Sequence, residues 1–290
     1  MEIKVVDFQS ATAPADFEKT IKETGFGVLS NHPISPTLID GVYRDWEAFF
    51  NSDERFDPAY EFKNSDHSGY VPFDLSETAK GNDIKDLKEF FHYYYPWGRI
   101  PDNLREKTEA LCQQLTDLAS TLLEWIEANM PTDLRDKLSE HLSDMLKGSN
   151  KNLFRLLHYP ALQGDEPVKA VRAAAHEDID FLTLLPAATA KGLEAQDTNG
   201  NWIPVPCDHG WIIVNVGDML QECTAHHYPS TTHRVVNPNG EAARKARMSM
   251  PLFLHPRNEV ILSDKYTAQS YREERYRELG LLAEGESIEL

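Results

Sequence analysis

Cysteine is scarce: Cys112, Cys207 and Cys223 are an odd set, widely spaced in 290 residues. That excludes a disulfide framework and a cysteine zinc cluster, and it leads to the expectation of a reducing, cytoplasmic setting. No apolar run approaches the roughly 18 residues that a membrane helix needs, so no membrane partner is expected. The opening Met1-Glu2-Ile3-Lys4 has no basic segment followed by an apolar one, which argues against secretion. Basic residues are also in deficit, with 29 Lys and Arg against 47 Asp and Glu for a formal charge of -18. Such a field repels phosphate backbones and anionic membranes, and nucleic acid is excluded as an expected partner. Repeats and low-complexity linkers are absent, so residues 1–290 are read as one domain.

What is present is ordinary globular composition, 41% apolar and 26% charged. Val5 to Phe8 reads as a strand, and residues 15–24 as a helix that Gly25 can end in a left-handed conformation. Phe26 to Leu29 reads as a second strand. Ser35 before Pro36 is an N-cap with proline at the first helical position, and Leu38, Val42, Trp46 and Phe49 give the next helix an apolar stripe. Residues 51–100 are less regular, broken by Gly69, Pro72 and Gly81 and rich in aromatics near Phe90 to Trp97. From Asp102 to about Asn129, leucines at 104, 111, 115, 118 and 122 recur at helical spacing, which reads as a long packing helix.

After residue 150 the pattern changes to short apolar runs between turn signals: Leu153–Leu157, Phe181–Leu185, Trp202–Val205, Trp211–Val216, His233–Val236 and Met248–Leu254. Asn199-Gly200 and Asn239-Gly240 are tight-turn dipeptides. These features predict an α+β fold with a mainly helical region over 1–150, a jelly-roll or antiparallel barrel over 151–260 and a helix and tail over 261–290.

Within the second half, His176, Asp178 and His233 form a His-x-Asp pair and a distant histidine at the edges of apolar runs. Side chains two apart on a strand point the same way, so His176 and Asp178 can reach one ion while Glu177 points elsewhere. Two imidazoles and one carboxylate suit Fe(II) where three coordination positions stay open, and zinc also accepts such ligands. His226 and His227 are rival ligands. His233 is preferred because it leads directly into Val235-Val236. Phe181, Leu184, Val214 and Val216 are candidates for an apolar wall around the ion.

The stretch from His176-Glu-Asp-Ile-Asp-Phe-Leu-Thr-Leu-Leu-Pro186 through His233-Arg-Val-Val236 to Arg247-Met-Ser249 resembles the Fe(II)/2-oxoglutarate-dependent dioxygenases of the isopenicillin N synthase-like group. Gly25-Phe-Gly-Val-Leu-Ser-Asn-His32 resembles that group's N-terminal strand motif. Trp202-Ile-Pro-Val-Pro206 and Val214-Asn-Val-Gly-Asp218 resemble its central strands. The resemblance implies a double-stranded β-helix core with N-terminal helices and a long supporting helix. It implies that His176, Asp178 and His233 bind Fe(2+), and that Arg247 and Ser249 hold the distal carboxylate of 2-oxoglutarate, O2 being the other cosubstrate. Tyr159 sits where the family often has a tyrosine bonded to the cosubstrate. Two features depart from the family pattern: Leu157 stands where many members have asparagine, and the fourteen-residue step from His233 to Arg247 is longer than usual.

Arg247 is preferred to Arg244 as the anchor because a hydroxyl residue lies two positions after it, whereas Ala246 follows Arg244 at that spacing. The implied activity is oxidation of a small organic molecule by hydroxylation, desaturation or cyclisation, with release of succinate and CO2. Tyr70, Phe73, Phe91 and Tyr93 are the candidate substrate contacts. Two alternatives stand beside this reading: an Fe(II) oxidase of the same fold that does not use 2-oxoglutarate, and a non-catalytic β-barrel binding protein.

Overall fold

A computed structural model describes residues 1–63, 65–76, 85–167, 169–283 and 285–287; Gly81, expected to break the chain, lies outside them. Strand β1 (Val5–Asp7) leads into helix α1 (Ala13–Thr24). Gly25 ends that helix at φ 67°, its N–H bonding to the Ile21 carbonyl, which turns the chain into β2 (Phe26–Ser30). Ser35 and Pro36 open α2 (Pro36–Phe50). Two short strands follow, β3 (Gly69–Val71) and β4 (Glu89–Tyr94), and then the 28-residue α3 (Asp102–Asn129). Short helices α4 (Thr132–Arg135) and α5 (Leu142–Leu146) end the first half.

The second half supplies β5 (Leu153–Tyr159), β6 (Ala173–His176), β7 (Leu182–Pro186), β8 (Leu193–Gln196), β9 (Trp202–Pro204) and β10 (Ile212–Val216). Helix α6 (Asp218–Cys223), β11 (His233–Val235), β12 (Arg247–Ser249), β13 (Leu252–Leu254) and α7 (Ala268–Glu278) complete the chain. The run Met248–Leu254 is thus two strands. They divide at Met250-Pro251, where proline has no N–H to give a ladder, and the Pro251 carbonyl accepts instead from the Arg155 N–H. In the long step before Arg247, Gly240–Arg244 forms a 3-10 turn.

Strands β1-β2-β10-β7-β13-β5-β4-β3 form one sheet, with β12 also on β5; β6-β11-β8-β9 form a second, smaller sheet. The large sheet therefore mixes strands from both sides of residue 150. The two sheets face each other as a double-stranded β-helix, and alternation along each strand decides what faces its interior. Phe26, Val28, Leu185 and Ile213 of the large sheet pack against Ala173, Leu193, Ala195 and Val235 of the small one. The opposite face, carrying Leu29, Leu184, Val214, Leu156, Phe91 and Tyr93, is covered by α1, α2 and α3. Trp46 ties α2 to α3 by donating from Nε1 to the Thr108 hydroxyl at 3.0 Å. The long helix thus supports the sheet from behind and leaves its inner face free for chemistry.

Where β10 leaves the sheet, Gly217 packs directly on Asp180. A Cβ at Gly217 would lie 2.0 Å from Asp180 Oδ1 and 2.2 Å from its carbonyl oxygen. Its φ of -89° suits any residue, so space alone demands glycine here. Gly217→Ala is expected to lower unfolding free energy by about 1–3 kcal/mol or more. Gly41→Ala, inside α2 where a Cβ meets nothing closer than 3.7 Å, should raise it by about 0.5–1 kcal/mol. Urea denaturation of both variants checks the pair, and equal effects would contradict the packing argument.

Candidate metal centre

The centre is assembled where the small sheet pairs irregularly. His233 on β11 lies opposite His176 on β6, yet two residues further along β11 Val235 lies opposite Ala173, not Ala174. One extra residue on β6 forms a bulge, and the change of parity lets both Ala173 and His176 face inward. The strand ends at His176, so Asp178 comes from the following loop and not from the same strand. Side-chain donor atoms of His176, Asp178 and His233 all lie within 4.8 Å of one another.

The hydrogen bonds around these three leave one donor atom of each free. His176 Nδ1 lies 2.8 Å from the Ala174 carbonyl, and His233 Nδ1 lies 3.1 Å from that of Thr231. Carbonyls only accept, so each Nδ1 carries the proton and each Nε2 presents a lone pair. Both Nε2 atoms lie 3.6 Å from Asp178 Oδ1. Asp178 Oδ2 accepts from the Thr183 hydroxyl at 2.7 Å and the Asn215 amide at 2.8 Å. Outer hydrogen bonds of this kind orient metal ligands and set their basicity.

Protonation states follow from the same contacts. Burial and the neighbouring His233 lower the pKa of His176, which favours the neutral, ligating form. Burial alone would raise Asp178, but the two imidazoles and the bonds from Asn215 and Thr183 hold it below its ordinary value, ionised. Asp180 behaves oppositely: burial and the charge of Asp178 push it well upward. Thr183 has one hydroxyl proton but lies 2.7 Å from Asp178 and 2.8 Å from Asp180. The raised pKa favours the protonated form of Asp180, in which it can donate to Thr183 while Thr183 donates to Asp178.

Three donors on one side of an ion leave positions open, the arrangement of non-haem Fe(II) sites; closed structural zinc sites use four protein ligands. The donor chemistry therefore fits an Fe(II) ion. His226 is exposed beyond α6, and His227 packs edge-on against Tyr228. Among the described residues, neither joins a group that could hold a metal.

Further along the inner face, β12 pairs with β5 so that Arg247 lies opposite Tyr159 and Ser249 opposite Leu157. Directly opposed side chains share a face, so all four gather there. Arg247 is 1% exposed; its Nε donates to the Ala190 carbonyl at 2.9 Å, its Cζ lies 4.9 Å from the Tyr159 ring centre, and its Nη1 has no protein partner. Arg244 lies instead in the exposed 3-10 turn. Leu157, where asparagine is common in the resembled family, packs with Val71, Phe90 and Tyr159.

A cavity of about 1150 Å³ runs from His176 and Asp178 past Arg155, His92 and Phe90 to Tyr276 and Leu279 near the C-terminus. Tyr70 borders it, with its hydroxyl donating to Glu89. Phe73 is exposed on a 3-10 turn whose neighbours Pro72 and Leu75 line the wall. Phe91 and Tyr93 are placed elsewhere: they face the helices, Phe91 against Trp46 and Tyr93 donating to Glu109. Their neighbours Phe90, His92 and Tyr94 take the cavity side, a parity visible in the alternation of β4 once its register is known. The same parity removes Phe181, Leu184, Val214 and Val216 from the iron's surroundings, because they pack on the helix side.

Against known proteins, the pattern of the 2OG-Fe(II) oxygenase superfamily matches residues 150–256, and that of the N-terminal region of the non-haem dioxygenase in morphine synthesis matches residues 3–115. The 2-oxoglutarate-dependent dioxygenase citB of Monascus ruber is 30% identical over 251 residues, 77% of this chain and 74% of the relative. A crystal structure of a Shewanella oneidensis protein classed with the oxygenases superposes with a TM-score of 0.88 at 47% identity, covering 97% of this chain and all of that one. A Caulobacter crescentus structure placed in the 2OG-Fe(II) oxygenase family superposes with a TM-score of 0.78 at 29% identity, covering 96% and 99%.

The bonds to Asp178 Oδ2 give a direct expectation. Thr183→Val and Asn215→Leu should each weaken Fe(II) binding about 10- to 100-fold, and Asp178→Ala should abolish it, while His227→Ala leaves it unchanged. Anaerobic equilibrium dialysis against Fe(II) measures all four; loss of binding in the His227 variant would contradict the ligand assignment.

Proposed function

The chain belongs to the 2OG-Fe(II) oxygenase superfamily, and from that premise we propose how its residues divide the work of an Fe(II)- and 2-oxoglutarate-dependent dioxygenase. His176, Asp178 and His233 would hold the iron through Nε2, Oδ1 and Nε2. Arg247 and Ser249 would hold the distal carboxylate of 2-oxoglutarate, with the Tyr159 ring beneath the guanidinium. The observation that carries this reading is a nearly fully buried arginine with a free N–H and, among the described residues, no acid in ion-pair range, on the inner side of the large sheet, beside a small sheet that carries two of the three converging metal donors. Buried charges are costly unless paired, and a guanidinium fork matches a carboxylate.

When bound, iron and 2-oxoglutarate supply the oxidising chemistry: O2 is split, one oxygen atom going to succinate as CO2 leaves and the other oxidising the substrate. The protein's share is placement and dryness. Asp178 stays ionised and oriented through Thr183 and Asn215, burial favours the neutral form of His176, and the carbonyls of Ala174 and Thr231 hold the Nδ1–H of each histidine so that Nε2 faces the ion. The substrate is read as a small organic molecule in the 1150 Å³ cavity, large enough for a drug-sized ligand. Phe90, Tyr94 and Phe253 offer apolar surface there, and His92 and Arg155 offer polar groups. Hydroxylation, desaturation or cyclisation are the outcomes open to such a site. Three free cysteines support a reducing, cytoplasmic setting, and no helix among the described residues is long and apolar enough to cross a membrane.

Purified protein given Fe(II), 2-oxoglutarate and O2 should form succinate, faster when a metabolite mixture contains its substrate. Arg247→Ala should raise the KM for 2-oxoglutarate about 10- to 150-fold, the loss of a charge-assisted pair of about 1.5–3 kcal/mol, whereas Arg244→Ala should leave it near the starting value. Succinate assays over a range of 2-oxoglutarate decide between them, and a KM effect confined to the Arg244 variant would overturn the anchor assignment.

A further inference from the structure

Arg172 plays no part in the site so far, yet it is as deeply buried as Arg247, each 1% exposed. It sits at the bend before β6, four residues ahead of His176. Its Nη2 donates to the Lys245 carbonyl at 3.1 Å, its Nε has no protein partner, and its Cζ lies 5.8 Å from the Tyr159 ring centre. Arg247 lies on the same ring at 4.9 Å. Among the described residues, neither guanidinium has an acid within ion-pair distance. Two cations are therefore held on one tyrosine, out of water, in a chain whose net charge is -18.

Such a pair repels itself, and its solvation is poor. Burial, and then the charge of Arg247, both press the Arg172 pKa downward. The aromatic face of Tyr159 and one backbone carbonyl recover part of this cost. A bound anion recovers the rest, because each guanidinium still has an N–H to donate. The position fits the anion already assigned to Arg247, since both groups share Tyr159 and Arg172 is tied to Lys245, two residues before Arg247.

We infer that Arg172 is a second guanidinium for the distal carboxylate of 2-oxoglutarate, so that this carboxylate is held by two positive charges. The inference rests on the Arg247 and Ser249 reading above. A double cation also makes a functional statement: the site selects a 2-oxo acid by the charge at its far end. Leu157 offers this carboxylate no polar group, and Arg172, at the bend before β6, would supply one.

The test is calorimetric titration of the Fe(II)-loaded protein without O2, using 2-oxoglutarate and 2-oxopentanoate, which ends in a methyl group where 2-oxoglutarate has its distal carboxylate. Wild type should bind 2-oxoglutarate at least 100-fold more tightly. Arg172→Met should weaken 2-oxoglutarate about 10- to 100-fold while changing 2-oxopentanoate less than threefold, and Arg172→Lys, which keeps the charge but not the fork, should fall between. Equal weakening of both ligands would mean that Arg172 only supports the fold and would overturn the inference. Unchanged 2-oxoglutarate affinity would overturn it too, and a raised substrate KM in that case would assign Arg172 to a substrate acid. If wild type itself does not prefer 2-oxoglutarate, the Arg247 reading fails and this inference with it.

Discussion

The pairing of β6 with β11 is the constraint on which the centre depends. Were the ladder regular, His176 and Ala173 would face opposite sides of the small sheet, and one of them would leave the interior. The single extra residue on β6 lets Ala173 pack with Val235 in the core while His176 still faces His233. It also ends the strand at once, which frees the chain to turn and bring Asp178 back beneath both imidazoles. The Asp178 carboxylate is then fixed from behind by Thr183 on β7 and Asn215 on β10, so the two sheets are joined through one ligand. Metal site and sheet packing are thus one structure, and Gly217 keeps the necessary room beside Asp180.

Charge is handled with the same economy. Asp178 and Asp180 are both buried within reach of one hydroxyl, and only one can be ionised without strong repulsion. The resulting site offers one carboxylate oxygen and two imidazole Nε2 atoms to a divalent ion. On the large sheet's inner side the sign reverses: Arg172 and Arg247 both lie near the Tyr159 ring and, among the described residues, have no acid in ion-pair range. A ligand that bridges the two ends must carry a metal-binding group at one terminus and an anion at the other. 2-Oxoglutarate, as proposed above, is a ligand of that kind.

Much of this was legible in the sequence. The His-x-Asp pair, the distant histidine and the Arg-x-Ser pair stand at or just beyond strand ends, where local patterns are strong; the donor atoms of His176, Asp178 and His233 lie within 4.8 Å of one another, and Arg247 and Ser249 share a face of β12. Helix α3 was readable because its leucines repeat over 28 residues, and α1 because Gly25 can take a positive φ. Parity was not readable. In Phe90-Phe91-His92-Tyr93-Tyr94 every position is aromatic, so nothing in the pattern says which alternate set faces the helices; only pairing with β5 decides it. The same holds for Val214 and Val216, which belong to a strand buried on both faces, where apolar runs are continuous. Arg172 was invisible for a different reason: its partners Tyr159, Lys245 and Arg247 are distant in sequence, and a lone arginine before a strand reads as a solvated charge.

The central claim is that three donor atoms hold one Fe(II) with positions left open for a chelating 2-oxo acid. Anaerobic visible absorption tests it most directly. Addition of Fe(II) and 2-oxoglutarate together should produce a weak metal-to-ligand charge-transfer band that saturates at one iron per chain and does not form with either component alone. No band with both present, or a band that survives unchanged in Asp178→Ala, would contradict the account.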